Sequence, residues 1–141
     1  MSDVEETRAL LREYAASLPF ARDFQDFDRE LAELPGDYAP PRGALLLARG
    51  AGCVGLRPLD TTTCEMKRLY VRPPARGTGL GRRLAEAIVG EARSLGYARM
   101  RLDTVPDMAA ALSLYAELGF REIPPYRANP IPGAVFLELE L

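Results

Sequence analysis

The sequence of 141 residues has no histidine, no tryptophan, two cysteines and a single lysine, Lys67. Without histidine, neither Ser-His-Asp nor Cys-His catalysis can operate, and histidine-based metal sites are excluded. Cys53 and Cys64 are too few for a zinc site and do not form a Cys-x-x-Cys motif. They could pair with each other, but free thiols are expected in a reducing cytosol. We therefore expect no metal site.

Long apolar runs and a strong charge excess are also missing. No stretch approaches the roughly 18 apolar residues that a membrane span needs, and the acidic segment Met1 to Glu6 is unlike a signal peptide. The net charge of −2 argues against nucleic-acid binding, which usually needs a basic domain. Hydrophobic residues make up 48% and charged residues 27%, as in globular domains. We expect one cytoplasmic domain over residues 1–141, with neither a membrane nor a nucleic acid as partner.

Hydrophobic spacing and breaker residues predict an α/β fold in which helices pack on a mixed sheet. In the final strand, the alternation of Leu137 and Leu139 with Phe136 and Glu138 predicts that only one face is buried. The predicted elements, in order, are a helix over 4–18, a helix over 20–34, strands over 44–48, 53–56 and 63–71, a helix over 80–95, a strand over 99–105, a helix over 109–118, a strand after Phe120 and a strand over 134–141.

The most informative segment runs from Leu69 to Arg83, where a strand enters a glycine-rich turn that opens a helix. Alternating Gly77, Gly79 and Gly81 allow φ > 0 and the close approach of a ligand. The first helical turn has unpaired N–H groups that favour phosphate, and three nearby arginines add positive charge. The spacing fits neither a P-loop nor a dinucleotide-binding Gly-x-Gly-x-x-Gly motif. It predicts a site for another phosphate-bearing ligand; the alternative is a turn that only caps the helix.

The segment RGTGLG at residues 76–81 resembles the Arg/Gln-x-x-Gly-x-Gly/Ala signature of the GNAT superfamily of acyl-CoA-dependent N-acyltransferases. EMKRLYV at 65–71 and LYAELGF at 114–120 resemble the preceding strand and a later helix of that family. The resemblance covers residues 45–141 and implies a central mixed sheet flanked by about four helices. It also implies transfer of an acetyl group from acetyl-CoA to a primary amine of a small molecule or peptide, by direct attack in a ternary complex.

Two departures from the family pattern carry expectations of their own. Only Met1 to Asp3 precede the first helix, so the family's first strand is expected to be absent or truncated. That would expose a sheet edge unless another subunit covers it, and because many relatives are dimers, a homodimer is one alternative. Met108 stands where the family often has asparagine, so a contact to the pantetheine arm is expected to be missing or to come from the backbone.

The resemblance implies where acetyl-CoA would bind. Glycine N–H groups of the loop would face the diphosphate, and the end of the preceding strand would hydrogen-bond the pantetheine arm. The residues implied in cofactor binding are Leu69, Tyr70, Val71, Arg76, Gly77, Thr78, Gly79, Leu80, Gly81 and Arg82.

Glu65 occupies the position where some relatives place a catalytic glutamate. An amine of pKa ~10.4 is almost fully protonated at pH 7, so a base that removes its proton, directly or through water, lowers the barrier. Glu65 is the predicted base. The alternative is a solvent-facing strand residue paired with Lys67 or Arg68, in which case Glu30, Glu33 or Asp103 could serve through water.

Tyr115 lies in the later helix motif, where the resemblance implies a role beside the leaving thiolate. A tyrosine of pKa ~10 is a weaker acid than a thiol of pKa ~8.5, so a hydrogen bond to the developing sulfur charge is the expected role. The alternative for Tyr115 is a core aromatic residue. A nucleophilic Cys64 is not expected, because strand alternation turns it away from Glu65 and a neighbouring carboxylate disfavours its thiolate.

The resemblance implies that the acceptor pocket forms from the first two helices, the loop that follows them and the proline-rich loop near the C-terminus. Its predicted substrate-binding residues are Arg42, Tyr126, Arg127 and Asn129. Arg42 or Arg127 could hold a carboxylate of the substrate. The alternative function is a non-catalytic sensor or regulatory module that binds acetyl-CoA without transferring its acetyl group.

Overall fold

A computed structural model describes residues 2–17, 27–104, 109–129 and 131–141. Four helices are described: α1 (Asp3–Ser17), α2 (Phe27–Glu33), α3 (Leu80–Ser94) and α4 (Ala109–Leu118). Six strands are described: β1 (Ala44–Ala48), β2 (Gly52–Pro58), β3 (Thr63–Val71), β4 (Arg99–Thr104), β5 (Arg121–Ile123) and β6 (Val135–Glu140).

The six strands form one mixed sheet in the order β1-β2-β3-β4-β6-β5. All neighbouring pairs are antiparallel except β3 and β4, which run parallel and are joined through α3. The predicted mixed sheet with flanking helices is thereby confirmed. Strand β1 lies at one edge of this sheet, and pairing of that edge with a second subunit stays a prediction.

Each face of the sheet carries its own hydrophobic core. Helices α3 and α4 cover one face, where the apolar stripe of α3 (Leu84, Ile88 and Ala92) is buried against β2, β3 and β4. Helices α1 and α2 cover the other face, where Leu11 and Leu31 pack with residues of β2 and β3. Burying each Leu or Ile side chain contributes roughly 1.5–3 kcal/mol.

Several predicted bounds need correction. Strand β2 continues to Pro58 rather than ending at residue 56, because its last residues still pair with the start of β3. Strand β6 is buried on both faces, since Phe136 packs edge-on against Tyr126 with ring centroids 5.3 Å apart. The described part of the second predicted helix is α2. Residues 18–26, Val105 and Met108 lie outside the described residues, so the expectation for Met108 stays a prediction.

The parallel strands β3 and β4 are hydrogen-bonded over only a short length. Their pairing comprises three residue pairs and ends with Glu65 opposite Arg101. Strand β3 continues to Val71 and β4 to Thr104, each still paired with its antiparallel neighbour on the outer side. The two strands therefore part beyond Glu65, and we call this space the β3–β4 opening.

A β-bulge lies in β3 beside this opening. Between Cys53 and Gly55 the register of the β2–β3 pair shifts by one residue. Arg68, within the bulge, has φ of +64°, a left-handed conformation that costs a non-glycine residue about 1–2 kcal/mol. The bulge is therefore a strained feature that other interactions must hold in place.

The side chain of Arg68 anchors the bulge to helix α2. Its Nε and Nη2 donate to the two carboxylate oxygens of Glu30 at 2.8 and 3.0 Å, and its guanidinium lies 4.7 Å from the centroid of the Phe27 ring. Tyr38 donates a third hydrogen bond to Glu30 at 3.0 Å. Because both members of the ion pair are largely buried, removing one would leave the other without compensation.

We expect Glu30→Ala to lower the free energy of unfolding by about 3–5 kcal/mol, because it leaves the Arg68 guanidinium buried and unpaired. The matched control is Glu33→Ala on the same helix, where an exposed pair with Arg29 contributes at most about 0.5 kcal/mol. Denaturant unfolding of both variants measures the difference. Equal destabilisation by the two substitutions would contradict the anchoring role of Glu30.

Candidate active site

Charged side chains collect on the α1–α2 face of the sheet at the start of the β3–β4 opening. Strand alternation turns Glu65 and Lys67 of β3 to this face, while Cys64 and Met66 enter the opposite core. Asp103 of β4 points to the same side as Glu65. With Arg57 and Arg127 these residues form what we call the charge cluster: Arg57, Glu65, Lys67, Asp103 and Arg127.

Glu65 is the centre of the charge cluster, and its side chain is fully buried. Arg57 Nε donates to Oε1 at 2.9 Å, Tyr126 Oη donates to Oε2 at 2.6 Å, and Arg127 Nη2 also donates to Oε2. Burial acts to raise the pKa of Glu65, but nearby Lys67, these hydrogen bonds and the two guanidinium charges outweigh it and lower the pKa. Glu65 is therefore an ionised carboxylate near neutral pH.

The segment between β5 and β6 is fastened over this face. Besides the two bonds to Glu65, Asn129 Nδ2 donates to Asp103 Oδ2 at 3.0 Å, and Asn129 Oδ1 accepts from the N–H of Ile131 at 3.0 Å. The structure thus brings Tyr126, Arg127 and Asn129 to the β3–β4 opening.

Arg42 lies elsewhere. Its Nη2 donates to the carbonyl oxygens of Asp60 and Thr61 at 2.9 and 3.2 Å, in the turn before β3. Its guanidinium stacks 4.4 Å from the centroid of the Tyr97 ring, whose hydroxyl donates to the Arg42 carbonyl at 2.7 Å. The structure does not bring Arg42 to the charge cluster; it fastens the connection before β1 to the start of β3.

Tyr115 approaches from the opposite face, in the core beneath α3 and α4. Its ring centroid lies 5.6 Å from that of Phe120. Burial raises the pKa of Tyr115, and the Tyr14 hydroxyl of α1 adds to the shift. Tyr14 itself lies on α1, which packs on the other face of the sheet. Among the described residues, no hydrogen-bond partner of the Tyr115 hydroxyl is found.

The glycine-rich loop lies where β3 ends. Gly79 precedes α3 with φ of +84° and Gly77 has φ of +81°, both in the left-handed region that favours glycine. A Cβ at Gly77 would meet no described atom within 4 Å, and one at Gly79 would meet only Arg83 Nη1 at 3.8 Å. Open space therefore lies beside the glycines, next to the first-turn N–H groups of α3.

The arginines of the loop hold its shape and add positive charge. Arg76 Nε donates to the Val71 carbonyl at 3.0 Å, and Arg83 Nη1 donates to the Thr78 carbonyl at 3.3 Å. Arg82 forms an ion pair with Glu117 of α4. Together with the helix N-terminus, these groups make the loop attractive to phosphate.

Comparison with known proteins identifies the family. Residues 7–120 match the acetyltransferase (GNAT) family. The chain belongs to the GNAT family of acetyltransferases. It is 40% identical to an uncharacterised N-acetyltransferase of Schizosaccharomyces pombe, over 99% of this chain and 89% of that protein. These relationships show that the chain is an acetyl-CoA-dependent acyltransferase, as the sequence resemblance implied.

Solved structures share the fold of this acetyltransferase. A crystal structure of an acetyltransferase from Streptococcus agalactiae superposes with a TM-score of 0.79 at 22% identity, covering 98% of this chain and 91% of that one. A GNAT family acetyltransferase from Elizabethkingia anophelis, solved with acetyl-CoA bound, superposes with a TM-score of 0.63 at 23% identity, covering 89% and 94%. At these identities the likeness shows the fold.

Two features are absent from the described parts of the acetyltransferase. Across residues 2–17, 27–104, 109–129 and 131–141, no helix has the length and apolar character needed to cross a bilayer. Within the same residues, no three acidic or cysteine side chains are grouped to hold a metal ion. Cys53 and Cys64 are both free and buried.

Sequence reasoning did not single out Arg57 and Lys67 as parts of the site. The signal for Lys67 was available: it is the one lysine of the chain and stands two residues after Glu65 on the strand predicted over 63–71. Arg57 gave no comparable signal, because its pairing with Glu65 depends on the β2–β3 register.

We expect Gly79→Glu to abolish measurable binding of CoA, since the new carboxylate would enter the space beside the helix N-terminus and a side chain is strained at φ of +84°. The matched control is Gly90→Glu, which adds the same charge on the exposed side of α3, where a Cβ meets no described atom within 4 Å. Calorimetric titration with CoA, after circular dichroism confirms folding, measures the effect. Unchanged affinity in Gly79→Glu would mean that the loop only caps α3.

Proposed function

We propose that this acetyltransferase transfers the acetyl group of acetyl-CoA to a primary amine that enters from the α1–α2 face of the sheet. The observation that supports this most directly is the β3–β4 opening, which has the glycine loop at its mouth, Tyr115 on one face and two carboxylates, Glu65 and Asp103, on the other. A thioester and an amine can meet there without crossing a continuous sheet.

The residues present fit acetyl-CoA. The N–H groups at the start of α3 and the open space beside Gly77 and Gly79 suit a diphosphate, with Arg76 adding charge. Beyond the bulge, β3 is paired only with β2, so alternate N–H and C=O groups of residues 69–71 face the opening and can bond the amides of a pantetheine arm. When bound, acetyl-CoA supplies an activated acetyl group.

Removal of the ammonium proton falls to a carboxylate of the charge cluster. Glu65 stays the predicted base, because it is ionised and lies where the strands part. Asp103 is the second candidate, since Asn129 gives the one hydrogen bond found to it among the described residues, whereas Glu65 accepts three. In either case one proton of the ammonium group passes to the carboxylate, the neutral amine nitrogen bonds to the acetyl carbon as the C–S bond breaks, and a second proton leaves the nitrogen for solvent.

Tyr115 is proposed to donate a hydrogen bond to the sulfur as negative charge develops there. Burial raises its pKa further above that of a thiol, so the hydroxyl remains protonated and full proton transfer to the thiolate is unfavourable. A neutral donor in a buried site stabilises developing charge without being consumed. Proton uptake by the thiolate then completes from solvent.

The proposal predicts micromolar binding of acetyl-CoA and release of free CoA thiol with at least one class of primary amine. Calorimetric titration measures binding, and a thiol-release assay over amino acids, polyamines, aminoglycosides and short peptides measures transfer. Binding with no thiol release from any class would contradict the enzyme and support the sensor alternative. Absence of binding would contradict both.

Tyr115→Phe separates catalysis from binding in the same assays. The variant retains the buried ring and loses only the hydroxyl, so acetyl-CoA affinity should stay within about twofold. We expect kcat to fall roughly tenfold or more, the usual effect of losing one donor to a developing charge. Equal turnover in variant and parent would remove Tyr115 from the mechanism.

We expect Glu65→Gln to lower kcat by about a hundredfold and to move the pH–rate profile to higher pH, because turnover then requires an amine that is already neutral. Asp103→Asn is the paired variant and should leave the profile in place. The kcat/KM profile between pH 5 and pH 10 distinguishes them. A shift seen only in Asp103→Asn would transfer the role of base to Asp103.

A further inference from the structure

Lys67 is a buried ammonium group without a direct counter-ion. Its residue is 7% exposed, and among the described residues it forms neither an ion pair nor a hydrogen bond. The other buried basic residue, Arg68, has its own partner in Glu30. Burial, together with the positive charge of Arg68, lowers the pKa of Lys67 to about 8.

Within the described part of the chain, Arg127 provides a buried donor without a partner beside the Glu65 carboxylate. Its Nη2 donates to Glu65, but its Nε is buried and has no hydrogen-bond partner among the described residues. A buried unpaired N–H of a charged group is costly unless something fills its position. Arg127 donates to Glu65, and Lys67 stands two residues after Glu65 on the same face of β3, so the two cationic groups lie on the same side of the β3–β4 opening.

The charges of the described residues do not balance here. The charge cluster sets three cations, Arg57, Lys67 and Arg127, against two carboxylates, Glu65 and Asp103. The adjacent pairs Arg68–Glu30 and Arg101–Glu138 are neutral in themselves. Among these five side chains one positive charge is left over, which favours a ligand that presents an anionic group to them.

The excess charge also limits which acceptor can enter. An amine arriving as an ammonium ion would add another positive charge to the charge cluster. An acceptor that carries its own anionic group enters with no net charge and can satisfy the free donors. A carboxylate suits this position, because it has one negative charge and can accept from an arginine and an ammonium group together.

We infer that the acceptor is an amino carboxylate, such as a free amino acid, whose carboxylate is bound by Lys67 Nζ and Arg127 Nε while its amine lies towards Glu65 and Asp103. This inference rests on the proposed function and specifies its substrate class. The carboxylate is unchanged in the reaction: the nitrogen gains the acetyl carbon, the C–S bond of the thioester breaks, and the product is an N-acetyl amino acid with free CoA thiol.

Binding of the product tests the carboxylate site without requiring turnover. The CoA-saturated protein is titrated calorimetrically with N-acetyl derivatives of glycine, leucine, phenylalanine and glutamate, each as the acid and as the carboxamide. We expect the tightest acid to bind about tenfold or more tightly than its carboxamide, the effect of losing charge-assisted hydrogen bonds. Acids that bind no more tightly than their carboxamides would overturn the inference.

Variants identify the residues responsible. Lys67→Met and Arg127→Met should each abolish the preference for the acid, whereas Lys67→Arg, which keeps the charge, should retain part of it. Arg93→Met removes an exposed arginine from the last turn of α3 and should change nothing. If the preference survives in Lys67→Met and in Arg127→Met, the assignment to these residues is wrong.

Proton linkage gives a readout that a structural role of Lys67 would not produce. An anion beside Lys67 raises its pKa, so at pH 8.5 binding of the acid should be accompanied by proton uptake. Titration in two buffers of different ionisation enthalpy measures that uptake. It should vanish in Lys67→Met, and identical uptake in parent and variant would contradict the inference.

Thiol release then separates this inference from the proposed function. Free amino acids are compared with their carboxamides and with the corresponding amines lacking the carboxylate. Release only with the amino acids supports the inference. Equal release with all three sets overturns it and leaves the acetyltransferase standing, whereas acid-selective binding with no release from any amine supports the carboxylate site and overturns the proposed transfer.

Discussion

The parting of β3 and β4 is the constraint on which the site depends. Two adjacent parallel strands would normally continue their hydrogen bonds, but here pairing ends at Glu65. The bulge that accompanies the separation requires a left-handed Arg68, and a buried ion pair with Glu30 holds it. Helix α2 is therefore tied to the feature that creates space for a cofactor, so stability and ligand access depend on the same residues.

Where β3 and β4 part, the sheet is interrupted. Polar side chains can therefore lie beside the gap, within the protein interior. Glu65 is buried at this point and needs three donors, which come from β2 and from the β5–β6 connection. Satisfying Glu65 thus positions Tyr126 and Arg127 at the opening. The same hydrogen bonds lower the pKa of Glu65 and weaken it as a proton acceptor, which is why Asp103 is a second candidate for the base in the proposed mechanism.

Local signals predicted the elements well and the site only partly. The turn before Thr63 and the two prolines that follow Arg72 predict the bounds of β3 correctly. The helical spacing of apolar residues in α3 predicts which face of that helix is buried. Two of the hydrogen bonds that Glu65 accepts come from Tyr126 and Arg127, which are separated from it by 61 and 62 positions in the sequence. No local pattern reveals such contacts. For Arg42 the sequence suggested a role that the structure does not support. Its position in a loop predicted a contact with substrate, but its guanidinium donates hydrogen bonds to backbone carbonyls of a nearby turn.

The opening also determines from which side each reactant comes. Tyr115 belongs to the α3–α4 core, so in the proposed mechanism the thioester sulfur lies on this face. The charge cluster lies on the α1–α2 face and is open to the other reactant. A sensor would need only the loop and the opening, whereas the ionised Glu65 and the ammonium group of Lys67 add buried charge that the proposed binding of acetyl-CoA does not use.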